Sequence, residues 1–325
     1  MRKALVLITA LLILGVASTF LLIRFTRKPT PTPVGWRAHV TTLAGDGAPL
    51  FRDSQQSAQA AFSDPFGIAV AKDGTVYVAD AGESNRIRKI TIEGIVSTLA
   101  GDNEGFADGS GTGALFNTPS GVAQDAHGNL YVADTGNNRI RKVTPQGAVS
   151  TIAGDGNPGY VDGPATQARF NGPIGVAVDA NGSVFVADTY NDRVRKISAD
   201  GQVSTIAGAD SFDTPCGIIT SADGTLIVAD TGNDRLQKIT PDGNVSTLSI
   251  TVNGDELSSP VGLAITHDNY LYVTELDRSR VIQVAPDNST HIIAGRGPGF
   301  ANGSDSSRFN QPAGIAIDQI GRAHV

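Results

Sequence analysis

The sequence predicts an all-β fold: a six-bladed β-propeller of four-stranded antiparallel blades, preceded by one transmembrane helix. Three observations carry the propeller. First, one phrase is written five times: "YVADTGNNRIRK" (131–142), "YVADAGESNRIRK" (77–89), "FVADTYNDRVRK" (185–196), "IVADTGNDRLQK" (227–238) and, more faintly, "YVTELDRSRVIQ" (272–283). Second, the units align on Pro65, Pro119, Pro173, Pro215, Pro260 and Pro312 at steps of 54, 54, 42, 45 and 52 residues, the period of a propeller blade. Third, the chain carries a lone strand at each end, "HVTTLAG" (39–45) and "GIAID" (314–318).

Each unit reads as four strands. In the second they are "GVAQD" (121–125), "NLYVAD" (129–134), "RIRKVT" (139–144) and "AVSTIAG" (148–154), all rich in β-branched and aromatic residues. Tight-hairpin sequences such as "HGN" and "PQG" join the first strand to the second and the third to the fourth. In an up-down meander both tight turns fall on one face. The phrase's "DTGNN" loop and the long variable connections fall on the other, where function on a rigid scaffold concentrates.

Five complete units lie at 65–101, 119–154, 173–208, 215–250 and 260–295. The end fragments supply a fourth and a first strand to one more blade, a clasp that makes six. Its second and third strands are absent, so the chain is expected to be truncated at its C-terminus, since an open blade exposes unpaired edges. The closing "IGRAHV" (320–325) reads like the in-frame translation of a common sequencing adapter, an expectation that resequencing past Gln319 tests.

The pattern "P-x-G-[VI]-A-x-D…G-x-[LV]-[YF]-V-A-D-T-x-N-x-R-[IV]-R-K" followed by "G-x-V-S-T-[IL]-A-G" resembles the NHL repeat over about 40–325. The resemblance implies a six-bladed propeller and, among bacterial-type relatives, a membrane-anchored one. Glu275 in place of the repeated Asp makes the fifth unit the most divergent. NHL propellers include RNA binders and extracellular sensor domains. Other six-bladed propellers are lactonase-like or amidating-lyase-like metalloenzymes.

Residues 1–28 read as a membrane anchor. "ALVLITALLILGVASTFLLI" (4–23) is uncharged and flanked by basic residues; twenty helical residues span roughly 30 Å, the hydrocarbon thickness. The rival reading is a cleaved signal peptide, with Gly15 and Ala17 before the cut. Residues 29–38 form a Pro/Thr spacer, and 39–325 the propeller. This places the propeller on the extracytoplasmic side of a single-pass membrane protein, or free and secreted if the leader is cut. Outside 1–38 the chain holds 19 basic and 32 acidic residues, a net of −13, which argues against a nucleic-acid partner. Cys216 is the only cysteine, so no disulfide or thiolate cluster can form within one chain.

Asp80 with Arg86, Asp134 with Arg139, Asp188 with Arg193, Asp230 with Arg235 and the variant Glu275 with Arg280 are expected to fasten each loop by charge-assisted hydrogen bonds. The phrase thus builds the fold, and function belongs where the units differ. The connections between units hold 13 acidic and 4 basic residues. Phe106, Tyr160 and Phe300 recur at one place in them, and with Asp108 and Asp162 they are the candidate binding face. Asp102 with Asp108, or Asp155 with Asp162, offer oxygen ligands of the kind calcium takes, without a full ligand pattern; no cofactor is otherwise expected. The channel mouth reads Phe66, Ser120, Ile174, Cys216, Val261 and Ala313, with no convergent metal or acid–base set. The expected function is a scaffold for a protein, small-molecule or glycan ligand. A lactonase-like metal-dependent hydrolase or lyase is the alternative, and an RNA-binding domain ranks last.

Overall fold

The computed structural model describes residues 38–208, 210–318 and 321–325. The expected anchor and all of the spacer but Ala38 lie outside them; among the described residues no helix is long and apolar enough to cross a membrane.

Five regular blades follow one another. In blade 2 the strands are Pro119–Gln124, Leu130–Asp134, Arg139–Val143 and Ala148–Ala153, each paired antiparallel with the next in chain order. Blades 1, 3, 4 and 5 repeat that order. The second strand of blade 2 is buried along its whole length, because both its faces meet neighbouring blades. The fourth lies at the rim and alternates with solvent. Apolar clusters therefore bridge neighbouring blades: Ile87 and Ala79 of blade 1 pack with Val122, Leu130 and Val132 of blade 2. Each blade completes its core only against the next.

The hub explains the Pro-x-Gly. A Cβ on Gly67, Gly121, Gly175, Gly217, Gly262 or Gly314 would stand 1.9–2.3 Å from the carbonyl oxygen of Ser120, Ile174, Cys216, Val261, Ala313 or Phe66 respectively. These six contacts run from each unit to the next and return to the first. Six first-strand segments thus close a ring so tight that only glycine fits. The phrase's threonine adds an inter-blade latch: the Thr135, Thr189 and Thr231 hydroxyls donate to the Pro173, Pro215 and Pro260 carbonyls of the following unit at 2.7–2.8 Å.

The sixth position is not a regular blade among the described residues. Ala316–Ile317 is its first strand, and Ala323–His324 pairs with it antiparallel. The turn between them matches the other units, the Asp318 amide donating to the Arg322 carbonyl as the Asp125 amide does to that of Asn129. The second strand, expected to be missing, therefore begins at Ala323–His324. The segment 39–45, read as a fourth strand, makes one isolated bridge, Val40 to Gly303. That bridge matches the pairing of Gly109 with Val149 and Gly163 with Val203, so the two chain ends do meet in one blade. With no third strand beside it among the described residues, 39–45 lacks the neighbour that would make it a ladder. A cleft of about 620 Å³ opens there, lined by Phe62, Ile68, Phe300, Phe309 and Val325 among others.

Candidate binding face

The phrase's aspartate is fully buried in blades 1 to 4, and its ion pair corrects the expected one in three of them. Asp80, Asp134 and Asp188 do lie across the ladder from Arg86, Arg139 and Arg193. Their carboxylates, however, bind Arg88, Arg141 and Arg195, two residues further on, at 2.9, 2.6 and 2.7 Å. Residues i and i+2 share a strand face, so both arginines point the right way and the diagonal one reaches the acid. In blades 4 and 5 the diagonal place holds Gln237 and Ile282. There the expected pairs form: Arg235 binds Asp230 at 2.7 Å, and Arg280 binds Glu275.

The three diagonal arginines have fully buried side chains. Arg141 shows how that is tolerated. Its Nη1 donates to Asp134 and to the Leu115 carbonyl, and its Nη2 to Asp108 and to the Ala107 carbonyl, at 2.6–3.0 Å. Its guanidinium lies 5.0 Å from the ring centres of both Phe106 and Phe116, within cation–π range. Arg88 sits likewise with Phe51 and Phe62, and Arg195 with Tyr160 and Phe170. Each long connection thus wraps a buried cation and hands it a second carboxylate: Asp53, Asp108 or Asp162. Those same acids accept the amides of Thr98, Thr151 and Thr205 on the fourth strand.

The candidate residues now have places. Asp108 and Asp162 are clamp acids. Asp102 binds Arg86 and Asp155 binds Arg169, so all four suggested calcium ligands are held by guanidinium groups. Among the described residues no group of three or more His, Cys, Asp or Glu is placed to hold a metal ion. Burial pushes the Asp80, Asp134 and Asp188 carboxyls above the ordinary carboxylate value, against the pull of their arginines. Burial acts the same way on Asp108, but the Thr151 amide and Arg141 outweigh it and hold that carboxyl low. Phe106 and Tyr160 cap Arg139 and Arg193 at 3.8 and 4.2 Å and stay 45 % exposed; Phe300 is 79 % exposed. Tyr190, in the third copy of the phrase, joins them at the surface.

Arg88, Arg141 and Arg195 were missed, as were Asp53 and Phe51. The available signal was an aromatic residue two places before an acid, followed 9–11 residues later by phenylalanine: Phe51 and Phe62, Phe106 and Phe116, Tyr160 and Phe170, with Phe300 and Phe309 as a variant carrying Asn302. The hub itself is apolar. A narrow space of about 70 Å³ is lined by the ring glycines with Phe66, Ile174, Cys216 and Val261, and burial pushes the Cys216 thiol up.

Comparison with known proteins agrees with this geometry. The NHL repeat matches residues 116–143 and 170–197, and the Teneurin NHL domain matches 50–109. NHL repeat-containing protein 2 of Bos taurus is 33 % identical over 174 residues, which cover 49 % of this chain and 24 % of that protein. The chain spans a quarter or less of the length of the first curated relatives it matches. Among solved structures, a streptogramin B lyase superposes with a TM-score of 0.56 at 18 % identity, covering 81 % of this chain and 90 % of that one. A chain of a nidogen/laminin complex does so with 0.58 at 19 %, covering 79 % and 86 %. At such identities the likeness shows the fold alone. The matched segments are thus NHL repeats, and the five blades and the glycine ring make the fold a β-propeller.

Proposed function

We propose that this propeller is a binding scaffold, held to a membrane through 4–23 with its long-loop face presented on the extracytoplasmic side. The observation that carries the reading is the contrast between its two openings. The hub is narrow and apolar, whereas the loop face displays Phe106 and Tyr160 on connections pinned by buried ion pairs, with Tyr190 and Phe300 also at the surface. Rigid aromatics at the surface make contacts at low entropic cost. The nidogen/laminin likeness supports the reading to the extent that a similar fold occurs within a protein complex. The partner is a protein, small molecule or glycan; the acidic body disfavours nucleic acid. The test is capture of ligands by the full chain in detergent, repeated with Phe300→Ser and Tyr190→Ser. Loss of capture with unchanged melting supports the loop face; unchanged capture by both variants refutes it. Carbonate extraction of membranes tests the tether, and release of the chain favours leader cleavage.

The lyase likeness supports the enzymatic alternative. Melting with chelator and then with calcium, zinc or magnesium separates the two readings, because a metal that binds only the native state raises the melting temperature.

A further inference from the structure

We infer a carboxylate-binding site where Arg280, Arg296 and Arg308 converge, between blade 5 and the sixth position. Four of the long connections open alike. Gly45, Gly101, Gly154 and Gly295 all have left-handed φ, +106°, +98°, +103° and +89°. The residue after each is Asp46, Asp102, Asp155 and, in the fourth, Arg296. The backbone place is shared: the Asp46, Asp155 and Arg296 amides donate to the Ala60, Ala168 and Ser307 carbonyls at 2.8–2.9 Å.

In the first three connections the carboxylate anchors a guanidinium. Asp46 binds Arg52, Asp102 binds Arg86, and Asp155 binds Arg169. Asp155 gathers two cations, because Arg139 Nη2 also donates to its carbonyl oxygen at 2.7 Å. The counterparts around Arg296 are fixed by register. Arg280 opens its third strand as Arg86 and Arg139 open theirs. The Arg308 amide donates to Ala301 as that of Arg169 does to Val161. Arg296 thus holds the backbone position that the acid holds in the other connections.

The cost falls on Arg280. Its Nε binds Glu275, yet its Nη2 is buried with no hydrogen-bond partner among the described residues. The same atom of Arg86 binds Asp102. Among the described residues Arg296 pairs with the exposed rim acid Asp305 alone, at 3.7 Å. An external carboxylate offers the planar acceptor pair that an arginine fork matches, and it restores the charge pattern of the other three connections. In a body of net charge −13 the attraction is local, so it falls with added salt. The site deepens the scaffold reading by naming the chemistry of one contact, and that contact is readable without knowing the partner.

The test uses the full chain at constant ionic strength, with glutarate and a capped tri-glutamate peptide as probes and inorganic phosphate as comparator. Calorimetric titration and thermal melting are the readouts. Glutarate is expected to bind saturably and raise the melting temperature. Arg296→Asp is expected to melt higher than the parent without ligand, having given Arg280 its partner, and to lose glutarate binding. Arg308→Ala, which leaves Arg280 in place, is expected to weaken binding about tenfold, the effect of one lost charge-assisted contact, and serves should Arg296→Asp misfold. No saturable glutarate binding, equal binding by both variants, or preference for phosphate overturns the assignment. Loss of partner capture with glutarate binding intact counts against the scaffold reading alone.

Discussion

In blade 2 the guanidinium of Arg141 lies between Phe106 and Phe116 and joins Asp134 to Asp108. In blade 4 the same place holds Gln237, and Arg235, partly in solvent, takes the acid instead. The buried aspartate is the constant, and what satisfies it varies with the connection ahead of the blade. Blades 1 to 3 follow long connections that supply an aromatic ring and a second carboxylate. Blade 4 follows 208–214, whose Ser211 carbonyl is shared by Arg235 and Gln237 and whose Asp213 amide donates to Asp230. A fully buried arginine is tolerable only when both ends of its fork are met, so arginine and long connection occur together.

What the two regions share should break most severely. Gly175→Ala in blade 3 and Gly217→Ala in blade 4 each push a Cβ against a hub carbonyl, 2.0 and 1.9 Å away. Each is expected to cost more than about 4 kcal/mol, the range of exceptional substitutions, in urea denaturation. A much milder loss in one blade would show that the ring is not closed equally.

The contrast itself is tested by Arg141→Ala against Arg235→Ala. The first removes a fully buried cation from both Asp134, left with Asn137 and the Asn117 amide, and Asp108; about 3–5 kcal/mol is expected. The second removes a half-exposed donor from Asp230, which keeps Asn233 and the Asp213 amide; about 1.5–3 kcal/mol is expected. Equal losses would sink the distinction between the two kinds of blade. Phe106→Ala should cost less, about 1 kcal/mol, since it removes one face of the cation–π sandwich and leaves Phe116.

The repeat, its strands and the glycine positions were legible because period-2 burial and turn chemistry are local signals. The arginine was not. Arg86 and Arg88 share a strand face, and sequence spacing cannot say which side chain reaches across the ladder. Asp108 serves Arg141 from 33 residues away, a contact set by how the long connection folds back on its blade. The candidate face was legible as a recurrence of aromatics but not in its division of labour. Phe51, Phe106 and Tyr160 hold cations, whereas Phe300 belongs to the sixth position, where no such arginine stands among the described residues. The surplus of cations there was hidden for the same reason, since Arg296 is conspicuous only beside Asp46, Asp102 and Asp155.

The mildest expected effect lies on the opposite face, where blades of both kinds use the same turn. Asp223 accepts the Ser221 hydroxyl at 2.6 Å and the Thr225 amide at 3.0 Å, and with the Ser221 bond first its pKa falls from 3.8 to about 2. A depressed carboxyl pKa stabilises the fold above the unfolded value and loses that contribution as pH falls through the folded one. The window is therefore about pH 4 down to 2, and the group's exposure keeps the effect small. Asp223→Asn should lower the melting temperature slightly at pH 6 and leave it unchanged at pH 2. A difference that persists at pH 2 would assign the role of this turn to side-chain shape rather than charge, and would leave the loop face as the region where ionised carboxylates hold the blades.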